Sequence, residues 1–157
     1  MVQQIGAPES IYDSPVNRFV AGLFGSPPMN FLDVQPVREH GHLYARSAGF
    51  SLVLPGDIDQ AVTASGHTRD AVLGIRPESI QLHANPVERS IPATVFVVEP
   101  AGHQLIVDVR IDEALLRVRA DRDAEWIESL PPDSVVHLSV DNQRVHLFDR
   151  DSGIRFV

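Results

Sequence analysis

A net charge of −8 over 157 residues, with all 13 basic residues Arg, argues against a polyanion partner, because nucleic-acid affinity rests on neutralising phosphates. The absence of cysteine excludes disulfides, thiolate chemistry and cysteine zinc sites, and no apolar run approaches the roughly 18 residues that span a bilayer. A 43% hydrophobic content, a length suited to one domain or two very small ones, and an N-terminus without a signal-peptide pattern read as a soluble, intracellular chain with its own core.

The first thirty residues carry helix signals. Ala7-Pro8-Glu9 is a helix start, with Pro8 where a missing N–H costs nothing and Glu9 near the positive end of the dipole. Ser14-Pro15 reads as a second start with Ser14 as N-cap. Val16, Phe19, Val20 and Leu23 then fall on one apolar stripe, and Gly25 followed by Ser26-Pro27-Pro28 ends the helix.

Beyond Met29 the pattern turns to short strands. Weak alternation runs from Leu43 to Arg46, and apolar runs cover Phe50 to Leu54 and Ala71 to Ile75. Gly56 to Asp70 holds few bulky apolar residues and reads as a loop with one short excursion. Ile91 to Val98, Leu105 to Val109, Leu116 to Arg119, Val135 to Val140 and Arg144 to Phe148 complete the set, the last two flanking Asp141-Asn142-Gln143 as a hairpin turn. Many short strands with Gly, Pro and Asp between them predict a barrel or sandwich.

Motifs for chemistry are scarce. There is no G-x-x-x-x-G-K-[ST], which a chain without Lys cannot form, and no G-x-G-x-x-G, so the P-loop route to ATP hydrolysis is closed to these residues. G-x-S-x-G is also missing. Glu39, His40 and His42 offer a flexible metal clip without a third fixed ligand, and the simpler reading is an exposed polar turn. His137 and His146 would face each other across the expected hairpin, but a lone pair defines no site. Asp121, Asp123, Glu125 and Glu128 interleave with Arg122 and Trp126 as a solvated face. Arg76-Pro77-Glu78 closes an apolar strand; Pro77 holds Arg76 extended, and an Arg76–Glu78 surface pair would contribute about 0–1 kcal/mol.

Together these pieces resemble one family. Gln3-Gln4-Ile5-Gly6-Ala7-Pro8-Glu9-Ser10-Ile11-Tyr12-Asp13-Ser14-Pro15 is similar to the segment that follows the nucleotide-binding domain in ATP-binding subunits of maltose-type ABC importers. The run from Asn17 to Asn30, ending Gly25-Ser26-Pro27-Pro28-Met29-Asn30, resembles the family's G-S-P-x-M-N signature. Leu73-Gly74-Ile75-Arg76-Pro77-Glu78, the turn Val97 to His103 with Glu99-Pro100-Ala101-Gly102, and Val145 to Gly153 resemble its remaining motifs, in family order. Pro131-Pro132-Asp133-Ser134-Val135 departs from the usual Pro-Gly turn, and Asp33 to Arg69 matches no motif.

The resemblance implies a mainly β, OB-like (TOBE/MOP-like) barrel with short N-terminal helices. Residues 1–28 would be a helical junction after a nucleotide-binding domain outside this chain, and 29–157 the OB-like regulatory domain. Met1 is then expected to mark a trimmed start. The implied role is regulation and dimerisation of an importer's ATP-binding subunit for sugars or related solutes. That subunit would sit in the cytoplasm, peripheral to the inner face of the membrane.

The resemblance further implies no ATPase activity in this chain and no cofactor, ATP and Mg belonging to the parent's other domain. Implied partners are a second copy, the parent's nucleotide-binding domain, the membrane permease subunits indirectly and a possible regulatory protein, with no nucleic acid. Gly25, Ser26, Pro27, Met29 and Asn30 are expected to shape the entry to the first strand or to contact the second copy. Arg76, Pro77, Glu78, Glu99 and Gly102 are further interface or turn candidates. The alternative is a small-ligand-sensing module for an oxyanion or a sugar.

Overall fold

The computed structural model describes residues 1–67 and 69–157. It bears out the mainly β, OB-like expectation: among the described residues, ten strands form two antiparallel five-stranded sheets, with four short helices. The chain divides into two compact units, Met1–Ser47 with Leu52–Arg76 and Asn142–Val157, and Ala48–Ser51 with Pro77–Asp141.

In the first unit, α1 (Pro8–Asp13) begins as its sequence predicts, with Pro8 and Glu9 in the first turn. Because α1 runs through Asp13, Ser14 serves as its C-cap, and Asn17 takes the cap of α2 (Arg18–Leu23), accepting from the Val20 N–H at 2.9 Å. The expected stripe is corrected accordingly. In this short helix Val20 and Ala21 point inward, while Val16, Phe19 and Leu23 stay in solvent.

Next come β1 (Asn30–Glu39), β2 (His42–Ser47), β3 (Phe50–Val53), α3 (Gly56–Ser65) and β4 (Ala71–Ile75). β1 pairs with β4 through Asn30–Val34 and then with β2 through Gln35–Glu39, so Pro36 needs a ladder partner on one side only. The β1–β2 turn is His40-Gly41, both at positive φ, which is the exposed polar turn the sequence suggests. Within the loop expected over Gly56 to Asp70, Gly56–Ser65 is instead α3, which Ile58 and Val62 anchor at i,i+4 and Gly66 ends in the left-handed region, while position 68 lies outside the described residues.

The second unit holds β5 (Ile80–His83), β6 (Ile91–Ala101), β7 (Gln104–Ile111), β8 (Ala114–Asp121), α4 (Glu125–Glu128) and β9 (Val135–Val140), in sheet order β5-β9-β6-β7-β8. Alternate residues Leu105, Val107, Val109 and Ile111 of β7 are buried with Val95, Leu116, Val118, Val136 and Leu138. The Pro131–Ser134 turn closes with Asp133 at positive φ, its N–H donating to the Val95 carbonyl at 2.7 Å.

Finally β10 (Val145–Asp149) returns to the first unit, where the order is β10-β4-β1-β2-β3 and every residue of β4 is buried. β9 and β10 therefore belong to different sheets, and the expected hairpin between them is replaced by a 3₁₀ turn, Asn142–Arg144. Its Asn142 side chain donates to the Val53 carbonyl at 3.2 Å. His137 pairs with His83 and Pro92, so it does not face His146 across a hairpin. No helix among the described residues is long and apolar enough to cross a membrane.

Candidate functional site

In the first unit the recognised motifs meet at Arg76. Strand β4 ends at Ile75, and Pro77 keeps the preceding Arg76 out of helical conformation, so the Arg76 side chain is carried under the two N-terminal helices. Nη1 donates to the Phe24 carbonyl at 2.7 Å and the Ala21 carbonyl at 3.3 Å, and Nη2 donates to the Tyr12 carbonyl at 2.7 Å. The guanidinium carbon lies 3.7 Å from the centroid of the Tyr12 ring. A cation placed against the last carbonyls of α1 and α2 suits the negative ends of both helices. Arg76 is 3% exposed, so it is an internal clamp and not the surface group the sequence suggested.

The other signature residues surround this clamp. Gly25 adopts φ 108°, and a Cβ there would come within 3.0 Å of the Pro27 carbonyl oxygen and 3.4 Å of Arg76 Nη1. Ser26-Pro27 is a cis peptide bond. Met29 is buried with Ala21, Val72 and Phe148. A Cβ on Gly74 would lie 2.5 Å from Met29 Sδ and 2.8 Å from Phe148, so β4 must carry Gly here for the methionine to fit. Asn30 pairs with Ile75 in the β1–β4 ladder and is half-buried, whereas Gly25 and Ser26 are exposed.

Sequence reasoning missed Arg155 and considered His146 only against His137, not against its actual neighbour. Phe148 and Leu147 of β10 pair with Val72 and Leu73, and the end of the chain folds back so that the Phe156 N–H donates to the Leu147 carbonyl. Arg155 Nη1 then lies 3.4 Å from His146 Nδ1. Burial, followed by the charges of Arg155 and Arg76 and opposed by Asp13, pushes His146 down to about 4. Burial also lowers Arg155, against the attraction of Asp57. A short closing segment with one ring and one guanidinium leaves no motif to find.

In the second unit, Asp108 is buried and receives two hydrogen bonds from Arg117, from Nε at 2.8 Å and Nη2 at 3.2 Å. That carboxylate, helped by Glu99, holds the Arg117 proton more tightly than usual. Pro77 is buried in a 3₁₀ turn, and Glu78 lies 3.6 Å from Arg119. Glu99 and Gly102 stand exposed at the end of the β6–β7 hairpin, whose turn Gly102 makes at φ 64°. Arg122 pairs with Glu128 at 3.1 Å inside the acidic run, and no group of three or more His, Asp or Glu among the described residues is placed to hold a metal ion.

The Arg76 clamp and the Asp108–Arg117 pair position and hold the elements around them. Comparison with known proteins gives two overlapping matches whose bounds differ from those of the two units. Residues 25–80 match the MalK OB fold domain and residues 73–148 match the TOBE domain. The first match includes Asp33 to Arg69, where no motif was legible. An ABC transporter ATP-binding protein of Sinorhizobium fredii is 39% identical over 98% of this chain and 38% of its own length. The trehalose/maltose import ATP-binding protein MalK of Thermococcus litoralis is 34% identical over 98% of this chain and 41% of its own. The osmoprotective compounds uptake ATP-binding protein GgtA of Synechocystis is 34% identical over 96% and 40%. The chain thus spans about two-fifths of the length of these relatives. Among solved structures, the cytoplasmic molybdate-binding protein ModG, with molybdate bound, shares the fold at a TM-score of 0.62 and 11% identity, over 75% of this chain and 94% of that one. The chain belongs to the family that joins the MalK OB fold to the TOBE domain, as found in the ATP-binding proteins of sugar-type ABC importers.

Proposed function

We propose that this chain is the regulatory and dimerisation region of an ABC importer's ATP-binding subunit, serving sugars or related solutes and hydrolysing no ATP by itself. The observation that carries the reading is the pair of matched domains over residues 25–148, in relatives that are ATP-binding proteins about two and a half times as long. The sequence adds that no phosphate cradle is present. Nucleotide and Mg would be held by the rest of the parent subunit. Its permease partners would hold this region at the inner face of the membrane, where a regulatory protein has access to it.

Mechanically, a standing contact between two copies keeps two ATPase halves at high effective concentration while they part and close. Such a contact uses the same patch on each copy. Of the residues expected there, Met29, Arg76 and Pro77 are buried and Pro27, Asn30 and Glu78 half-buried, which leaves Glu99 and Gly102 on the hairpin and Gly25-Ser26 beside α2 as the fully exposed set. Light scattering over a wide concentration series tests the reading. A dimer that persists to low micromolar concentration and is weakened by Glu99→Arg supports it. A monomer at every concentration overturns self-association by this region alone.

A further inference from the structure

A cleft of about 450 Å³ opens in the first unit between the end of α3 and the closing segment of the chain, a size ordinary for small-ligand sites. His67, Arg69, Asp149, Arg155 and Phe156 line it. The His67 side chain is 7% exposed and meets the Phe156 ring edge-on at a centroid distance of 4.8 Å. Its Nδ1 lies 3.4 Å from Asp149 Oδ2. Two nitrogens in this wall, His67 Nε2 and Arg155 Nε, are buried and have no hydrogen-bond partner among the described residues. Native interiors rarely leave such atoms unmatched, because each orphaned group costs about 1–3 kcal/mol.

The proton inventory narrows what completes them. The Ser152 backbone N–H and hydroxyl hold the Asp149 carboxyl below its ordinary value, which sets a negative charge beside His67 Nδ1. His67 Nε2 can donate or accept according to the tautomer, while Arg155 Nε–H is a donor. A hydroxyl group is both. An anion would settle beside the Asp149 carboxylate, which lies 3.4 Å from the same ring. The second arginine adds little attraction, since Arg69 lies 3.4 Å from Asp151. The Phe156 and Ile154 side chains supply apolar surface for C–H faces.

We infer that this cleft binds a small neutral polyhydroxyl compound, a sugar or polyol, through the His67 imidazole and the Arg155 guanidinium. The site gives the small-ligand alternative a place in the fold and rests on that alternative, not on self-association. A monomeric chain that binds, or a dimer that does not, separates the two.

The test follows the His67 ring Cε1–H resonance, identified by its loss in His67→Gln, while trehalose, glycerol and sodium phosphate are added in turn. Trehalose or glycerol is expected to shift the His67 signal and leave the Trp126 indole unmoved. Ala61→Leu, which fills the cleft from α3 without touching either nitrogen, is expected to weaken the response at least about tenfold. A response to phosphate alone would show an anion cleft and overturn the proposal. No response to any of the three would show a water-filled recess, and a shift that survives Ala61→Leu would show binding elsewhere; each of these overturns it as well.

Discussion

Arg76 Nη1 lies 2.7 Å from the Phe24 carbonyl oxygen, joining residues 52 apart in sequence. The same side chain holds the Tyr12 and Ala21 carbonyls, so one residue ties the ends of α1 and α2 to the end of β4. Arg76→Met keeps the stem and removes every donor. The expected loss is about 3 kcal/mol of unfolding free energy, read from the urea midpoint, with faster hydrogen exchange confined to residues 8–24. Arg76→Lys restores only part of it, because an ammonium cannot fork to three carbonyls and lie over Tyr12. An unchanged midpoint in Arg76→Met would remove the clamp from the account.

Gly74 and Met29 form a matched pair. Gly74→Ala places a methyl 2.5 Å from Met29 Sδ and is expected to cost about 1–3 kcal/mol. Combined with Met29→Ala, which opens the space, the penalty of the added methyl shrinks, so the double-mutant cycle shows a coupling above about 0.5 kcal/mol. Additive effects would mean that Phe148, 2.8 Å away, carries the clash.

The Asp108–Arg117 pair is unequal in burial, and its two halves should fail unequally. Asp108 is 8% exposed in its side chain and Arg117 is 45% exposed. Arg117→Ala strands a buried carboxylate and is expected to cost about 3 kcal/mol, whereas Asp108→Asn returns Arg117 to solvent for about 1 kcal/mol. Chemical denaturation of both variants checks the order, and equal losses would contradict it.

His146 makes stability pH-dependent. Its folded value of about 4 lies below the ordinary 6.5, so between these limits the unfolded chain binds more protons than the folded one. The contribution of the neutral ring is complete above about pH 6.5 and is lost as pH falls towards about 4. Discounted for its partial exposure, the effect is about 2 kcal/mol. His146→Phe is expected to flatten the stability profile in this window alone; an unaltered slope would place the titration on another group.

Strand content was legible wherever β-branched residues ran together, as in Ile91 to Val98 and Leu105 to Val109. β1 was not, because Asp33, Pro36, Arg38 and Glu39 interrupt the pattern in a strand that changes partners halfway. α3 escaped for a similar reason: only Ile58 and Val62 reach the core, and the rest of the helix is Asp, Gln, Ala, Thr and Ser. The false hairpin at Asp141 to Gln143 shows the limit of local reading, since turn chemistry says where a strand stops and not which sheet the next one joins. At the site, Gly25, Met29, Gly74 and Arg76 stood out in the sequence, but only long-range packing reveals that they touch.

The first unit is assembled from three separate stretches of chain, and its last contribution, Asn142–Val157, supplies the strand that flanks β4. Residues 77–141 are in effect a guest sequence spliced into a host that stays unfinished until residues 142–157 arrive. On the ribosome the guest has all its strands first, and the host can close only after residues 142–157 have been made. A premature stop between Asp141 and Val145 therefore leaves the strands of the second unit complete and the first unit open, with the apolar flank of β4 uncovered as a ready edge for aggregation.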